Sequence, residues 1–300
     1  MKLLTFIESG EHRLGVKTEK GVLDISAALS VYPNGGGVPI TIHQAIDGGD
    51  EALAALRLFV EGILSRSNGQ EIYWREEQRL VFGPCVTHPN KMICVGLNYR
   101  KHAEETKAKI PDYPILFNKF NNTLAGHEDS IPLPIVTDMV DYEAELAIVI
   151  GKTAKYVTKE QALDYVFGYC AANDLSARDL QQRTQQWMLG KSCDKFSPIG
   201  PYLTTAEEVG DPNKLTIKCI VNGDVRQHSN TSDMIFKCDE IVSYISQHMT
   251  LVPGDIIMTG TPEGVVLGYP PEKRIYLKPG DQVTVEIEKL GSLTNTMAAE

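Results

Sequence analysis

No uninterrupted apolar run in the 300-residue chain exceeds five residues, Leu146 to Ile150 being one of them. A membrane-spanning helix needs ~20. Met1-Lys2-Leu3-Leu4 reaches Glu8 too early to form the apolar core of a signal peptide. Basic clusters are scarce too. No Lys/Arg run exceeds two residues, and 29 Lys+Arg against 39 Asp+Glu leave a formal net charge of −10. A nucleic-acid binder would need a basic stripe against that background, and none is present. The six cysteines (Cys85, Cys94, Cys170, Cys193, Cys219, Cys238) include no pair at the short spacing of a zinc site. They are expected to be reduced, mostly buried thiols. These absences point to a soluble, acidic, cytoplasmic protein without nucleic-acid or membrane partners.

A hydrophobic content of 42% is enough for a sizeable core in a chain of this length. The first eighty residues read as a small α+β unit. Lys2–Ile7, Arg13–Lys17 and Gly21–Ile25 are expected strands, and Asp50 to Arg66 an expected helix with Leu53, Leu56, Val60, Ile63 and Leu64 on one stripe. The polar stretch Ser67 to Gln78 is the expected linker. From Val81 to residue 300 strands dominate, at Met92–Val95, Pro114–Asn118, Thr216–Val221 and Gln282–Ile287. Asn222-Gly223 marks a tight hairpin, Thr158-x-x-Gln161 reads as a capping box opening a helix to about Val166, and Asp239 to Met249 as a further helix. The fold class expected is α+β, mostly β.

Chemistry-bearing residues fall in five places. Along Met139 to Ile150, strand alternation gives one apolar face (Val140, Tyr142, Ala144, Leu146, Ile148, Ile150) and one bearing Asp141, Glu143 and Glu145. Two Glu at i and i+2 present oxygens to one side, as Mg²⁺ or Mn²⁺ requires; a solvated strand edge is the other reading. Asp174 follows the small-residue run before Asn173. Arg178 and Asp179 are candidates for an internal ion pair. Lys191 precedes a Pro/Gly-rich loop, and the turn Asp255 to Pro262 offers N–H groups and the Thr261 hydroxyl to an anion. His102 and Glu105, at i and i+3, share one face of a helix and can form a general-base dyad or an ordinary surface pair.

Together, Gly96-Leu-Asn-Tyr, the Asp141–Glu145 strand, Asn173–Asp179, Lys191–Pro201 and Gly254–Pro262 resemble the fumarylacetoacetate hydrolase family, in the family's order and over residues 81 to 300. The resemblance implies a mixed β-sandwich roll preceded by a variable small N-terminal domain, usually in a homodimer. It implies one Mg²⁺ or Mn²⁺ per chain on Glu143, Glu145 and Asp174. It also implies a catalytic His102–Glu105 pair on a mobile lid helix, an active-site Lys191, and substrate contacts from Gln181, Thr261 and Arg178. Charges outnumber apolar anchors along Leu97 to Asp112, so that lid is expected to be weakly held.

A 2-oxo acid can chelate a divalent cation through its carboxylate and keto oxygens, and the cation and Lys191 would stabilise an enolate at the neighbouring carbon. The first expectation is a hydrolase that cleaves a C–C bond in 2,4-dioxo acids of the acylpyruvate or fumarylpyruvate kind, releasing pyruvate enolate at the cation. The second is an oxaloacetate decarboxylase, or an isomerase/decarboxylase of aromatic-degradation dioates, on the same site. The third is a catalytically idle member kept as an interaction partner.

Overall fold

From Val140 to Ile150 every residue is buried, and alternation sorts the side chains between two cores. The computed structural model describes residues 1–33, 36–66, 69 and 71–300. Within it, Ala144–Ile150 is an inner strand of the main sheet. Ala144, Leu146, Ile148 and Ile150 join a core with Ile217, Val285 and Leu293 of a second sheet and Ile241 and Ile245 of the helix Cys238–His248. Ala147 and Val149 join the other core, with Ile42, Leu56, Val60 and Ile63 of the helices Ile42–Asp47 and Gly49–Leu64. Burying each large aliphatic side chain contributes ~1.5–3 kcal/mol. This strand is therefore fixed from both sides, a firm base for whatever its first residues carry.

Among the described residues the main sheet has eleven strands. Their order is Trp74–Arg75, Gly21–Asp24, Glu11–Thr18, Lys2–Glu8, Ser197–Thr205, Val166–Asn173, Ala144–Ile150, Ile256–Met258, Met92–Gly96 and Ile115–Lys119, with Leu124–Ala125 beside Ser197–Thr205. The second sheet runs Asp224–Asn230, Thr216–Val221, Gln282–Ile287, Gly291–Ala299, Ser130–Leu133. Parallel pairs (Ile256 with Met92, Thr296 with Ser130) sit among antiparallel ones. The result is a mixed, mostly β α+β fold with helices at its periphery. No helix among the described residues is long and apolar enough to cross a membrane. All six cysteines are free, and five are buried.

The expected N-terminal strands form at Lys2–Glu8, Glu11–Thr18 and Gly21–Asp24, and the helix at Gly49–Leu64. Lys2 and Leu3 pair with Thr204 and Leu203, so these strands extend the main sheet. We retain the division at residue 80 as a proposal, because the first eighty residues supply a helical layer of their own. Of the expected linker, residues 67, 68 and 70 lie outside the described residues. Much of the rest is built into the fold: Tyr73 is buried and Trp74–Arg75 pairs with Gly21–Asp24. Asn222 and Gly223 both take left-handed φ (52° and 88°), as a type I′ hairpin turn requires.

The capping box does not form. The Thr158 hydroxyl lies 3.5 Å from the Gln161 side chain, and only a short 3₁₀ turn, Ala162–Tyr165, follows. The Tyr165 carbonyl accepts from Gly151 and Lys152, and Val166 enters the main sheet at once, which leaves no length for a helix.

Candidate active site

The polar face expected at Asp141, Glu143 and Glu145 is not a solvated edge; all three are buried. The strand breaks after Val140–Asp141 and resumes at Ala144. Side chains satisfy the backbone at the break. The Glu143 N–H donates to the Asn173 side chain (3.0 Å), and the Ala144 N–H to Gln227 (2.9 Å). Asp174 leaves the neighbouring strand Val166–Asn173 at the same level, its N–H donating to the Glu143 carbonyl. Glu143, Glu145 and Asp174 thus converge, each with a carboxylate oxygen within 4.8 Å of the others.

Asp141 turns out of this cluster. Its carboxylate accepts from the N–H groups of Val266 (2.9 Å) and Leu267 (3.0 Å) and from Arg178 Nε (2.8 Å). Arg178 also lies 2.7 Å from Glu143 Oε1 and donates to Gln181 Oε1 (3.0 Å). The expected Arg178–Asp179 pair therefore does not form. Asp179 accepts from Thr137 instead.

Lys191 Nζ sits 2.6 Å from Glu143 and 2.7 Å from Asp174. Gly190 allows this: a Cβ there would lie 2.4 Å from the Gln181 nitrogen and 2.5 Å from the Ala177 carbonyl oxygen, so no other residue brings the short helix Met188–Lys191 so close. A second buried cation, which sequence reading missed, is Lys119. Its ammonium meets Asp174 Oδ1 at 2.5 Å and the Phe196 carbonyl at 2.7 Å. A lysine closing the apolar strand Ile115–Lys119 was the available signal.

Electrostatics divide the acids. Burial alone would raise Glu143, but Lys191 and Arg178 outweigh it and hold its carboxyl at about 2. Burial, then the charges of Asp174 and Glu143, push Glu145 well above the usual range. Lys191 is penalised by burial yet raised by Asp174 and Glu143. A buried carboxyl among like charges is relieved by a cation, and three hard oxygen donors suit Mg²⁺ or Mn²⁺ better than a soft metal. The residues fit a divalent cation.

The Asp255–Pro262 turn spends one of its N–H groups inside the chain: Gly260 donates to Glu145 Oε2 at 2.7 Å. The Thr261 hydroxyl accepts from Gln227. On the opposite wall, the helix Arg100–Glu105 brings His102 Nδ1 to 2.8 Å from Glu105 Oε1, while Glu105 Oε2 accepts from the Gly264 N–H (3.0 Å). This helix is better anchored than its charge content suggested. Tyr99 and Ala103 are fully buried, and Asn98 bonds to Phe236 and Thr259. A cavity of about 740 Å³ joins His102, Glu105, Glu143, Glu145, Arg178, Gln181, Lys191 and Thr261, and Phe117, Trp187, Lys107 and Arg274 line it as well. Asp174 lies behind this wall, within reach of Lys191.

Fold and site define an α+β enzyme with an oxygen-only acidic centre facing a histidine–carboxylate pair. The profile Fumarylacetoacetate (FAA) hydrolase C-terminal matches residues 91–298. The chain belongs to the fumarylacetoacetate hydrolase family. It is 42% identical over 310 residues to fumarylacetoacetate hydrolase domain-containing protein 2 homolog of Dictyostelium discoideum, covering 99% of this chain and 97% of that protein. It is also 42% identical over 259 residues to the mitochondrial oxaloacetate tautomerase Fahd2a of Rattus norvegicus, covering 86% and 80%. Among solved structures, maleylpyruvate hydrolase from Sphingobium sp. SYK-6, in complex with manganese(II) and pyruvate, is similar with a TM-score of 0.78 and 30% identity, covering 100% of this chain and 99% of that one. The rat and Sphingobium relatives are enzymes by name, this family member is an enzyme too, and the idle-scaffold reading falls away.

Proposed function

We propose that this chain interconverts the enol and keto forms of oxaloacetate, with His102 moving the proton at the carbon beside the 2-oxo group. The observation that carries the reading is the His102–Glu105 pair: Glu105 holds Nδ1, leaving Nε2 as the proton acceptor on the cavity side. Identity to an oxaloacetate tautomerase supports it. A cation on Glu143, Glu145 and Asp174 would polarise the 2-oxo group. The Lys191 ammonium stabilises negative charge developing on that oxygen when the carbon loses its proton. Lys107 and Arg274, which also line the cavity, suit a distal carboxylate. Gln181 and Thr261 are proposed substrate contacts. The Arg178 guanidinium, engaged by Asp141, Glu143 and Gln181, is proposed to orient Glu143.

A second reading, C–C hydrolysis of acylpyruvates, is favoured by the likeness to maleylpyruvate hydrolase. There the same dyad would activate water. Oxaloacetate decarboxylation or dioate isomerisation would use the same centre. Steady-state rates on enol-oxaloacetate and a panel of 2-oxo and 2,4-dioxo acids, with Mg²⁺ and Mn²⁺, separate them. The tautomerase reading requires enol-oxaloacetate to be the best substrate, and is overturned if an acylpyruvate is cleaved faster.

A homodimer belongs to the proposal. Ile135 (85% exposed), Val136, Met188 and Leu189 leave apolar surface open on this chain. The cytoplasmic expectation stands against the name of the rat relative, which is mitochondrial.

A further inference from the structure

We propose that Gly268 is a positioning residue for the dyad. It leaves the space into which the Glu105 carboxylate docks, and through Glu105 it sets the His102 ring. The inference rests on the reading of His102 as the base.

Gly268 ends the short 3₁₀ turn Val266–Gly268, and its φ lies outside the left-handed region. The backbone itself would accept alanine. Space is the obstacle. A Cβ on Gly268 would stand 2.5 Å from Cδ and Oε2 of Glu105 and 2.9 Å from Oε1. The three nearest atoms all belong to the far end of one flexible side chain, which must move first. That side chain can swing away cheaply, but not without leaving His102 Nδ1 (2.8 Å) and the Gly264 N–H (3.0 Å).

The rest of the turn is held by contacts that do not involve Glu105. Gly264 is left-handed (φ 99°), and a Cβ there would lie 2.1 Å from the Arg226 carbonyl oxygen. Val266 and Leu267 give their N–H groups to Asp141, whose carboxylate is locked to Arg178. Residues 264–268 thus form a plate held by Asp141 that offers Glu105 the Gly264 N–H and the gap at Gly268. An alanine at 268 fills the gap and leaves the plate and the acidic cluster intact.

The test is amide hydrogen exchange on the full chain, which needs no substrate, alongside Mn²⁺ titration and turnover. Gly268→Ala should speed exchange at Gly264 roughly ten- to hundredfold, the worth of one hydrogen bond to a charged group. Mn²⁺ affinity should be unchanged, and kcat should fall more than KM changes. Glu105→Ala should deprotect Gly264 to the same degree, and Gly268→Ala added to it should change nothing further. Unchanged protection in Gly268→Ala, or an undiminished effect of it in the Glu105→Ala background, overturns the proposal. So does misfolding that Glu105→Ala does not cure, since the clash would then lie elsewhere. If the wild type proves inactive on oxaloacetate, the exchange result still decides the role of Gly268, so the two failures are distinguishable.

Discussion

Arg178 grips Asp141 with Nε and Nη2, both 2.8 Å from Oδ2, and both side chains are buried. The same guanidinium reaches Glu143 at 2.7 Å. Removing one partner of such a buried pair typically costs ~3–5 kcal/mol, because the other charge stays buried and uncompensated. Asp141→Ala should therefore lower the melting temperature markedly and weaken Mn²⁺ binding through Glu143. A melting curve unchanged from wild type would contradict this and show that Glu143 alone compensates the Arg178 charge.

Glu145 supplies the pH dependence of cation binding. Its folded carboxyl lies well above the ordinary carboxylate range, pushed there by burial and by Asp174 and Glu143. In the cation-free chain, this group favours folding below its unfolded pKa and loses that contribution as pH rises through the folded value. A cation must displace its proton. Mn²⁺ affinity should rise with pH, and titration calorimetry in buffers of different ionisation enthalpy should show proton release. No buffer dependence would mean that Glu145 is already ionised.

Lys191 is a competitor for its own site, since its ammonium lies on two of the proposed ligand carboxylates. Lys191→Met should bind Mn²⁺ at least as tightly as wild type while turnover falls ~10²–10³-fold, the usual worth of a charge aimed at a developing oxyanion. Weaker Mn²⁺ binding would instead make the lysine a structural strut for the acids.

Sedimentation should give twice the 33.1 kDa chain mass at micromolar concentration. A single-chain mass would refute the homodimer and leave the apolar surface at Ile135 and Leu189 without a second copy to cover it.

What the sequence made legible was local. Alternation from Val140 to Ile150 named the apolar face correctly and missed the strand break that turns Asp141 away from Glu143 and Glu145. The i, i+3 spacing put His102 on Glu105, and Asn222-Gly223 marked its hairpin. Glu143, Glu145 and Asp174 were read through family resemblance and do converge. The hidden relationships join distant residues: Asp141 to Arg178 across 37 positions, Lys119 to Asp174 across 55, Gly260 to Glu145 across 115. No periodicity encodes such partners; strand order brings them together. The capping box failed for the same reason, because sheet entry at Val166 overrode a local helix signal.

The most direct measurement is the rate at which enol-oxaloacetate disappears in the presence of Mn²⁺, wild type against His102→Ala. A positioned base contributes ~10²–10⁴-fold, so the variant should lose that factor while keeping wild-type Mn²⁺ affinity. Equal rates for the two proteins would contradict His102 as the base and, with it, proton transfer at this site.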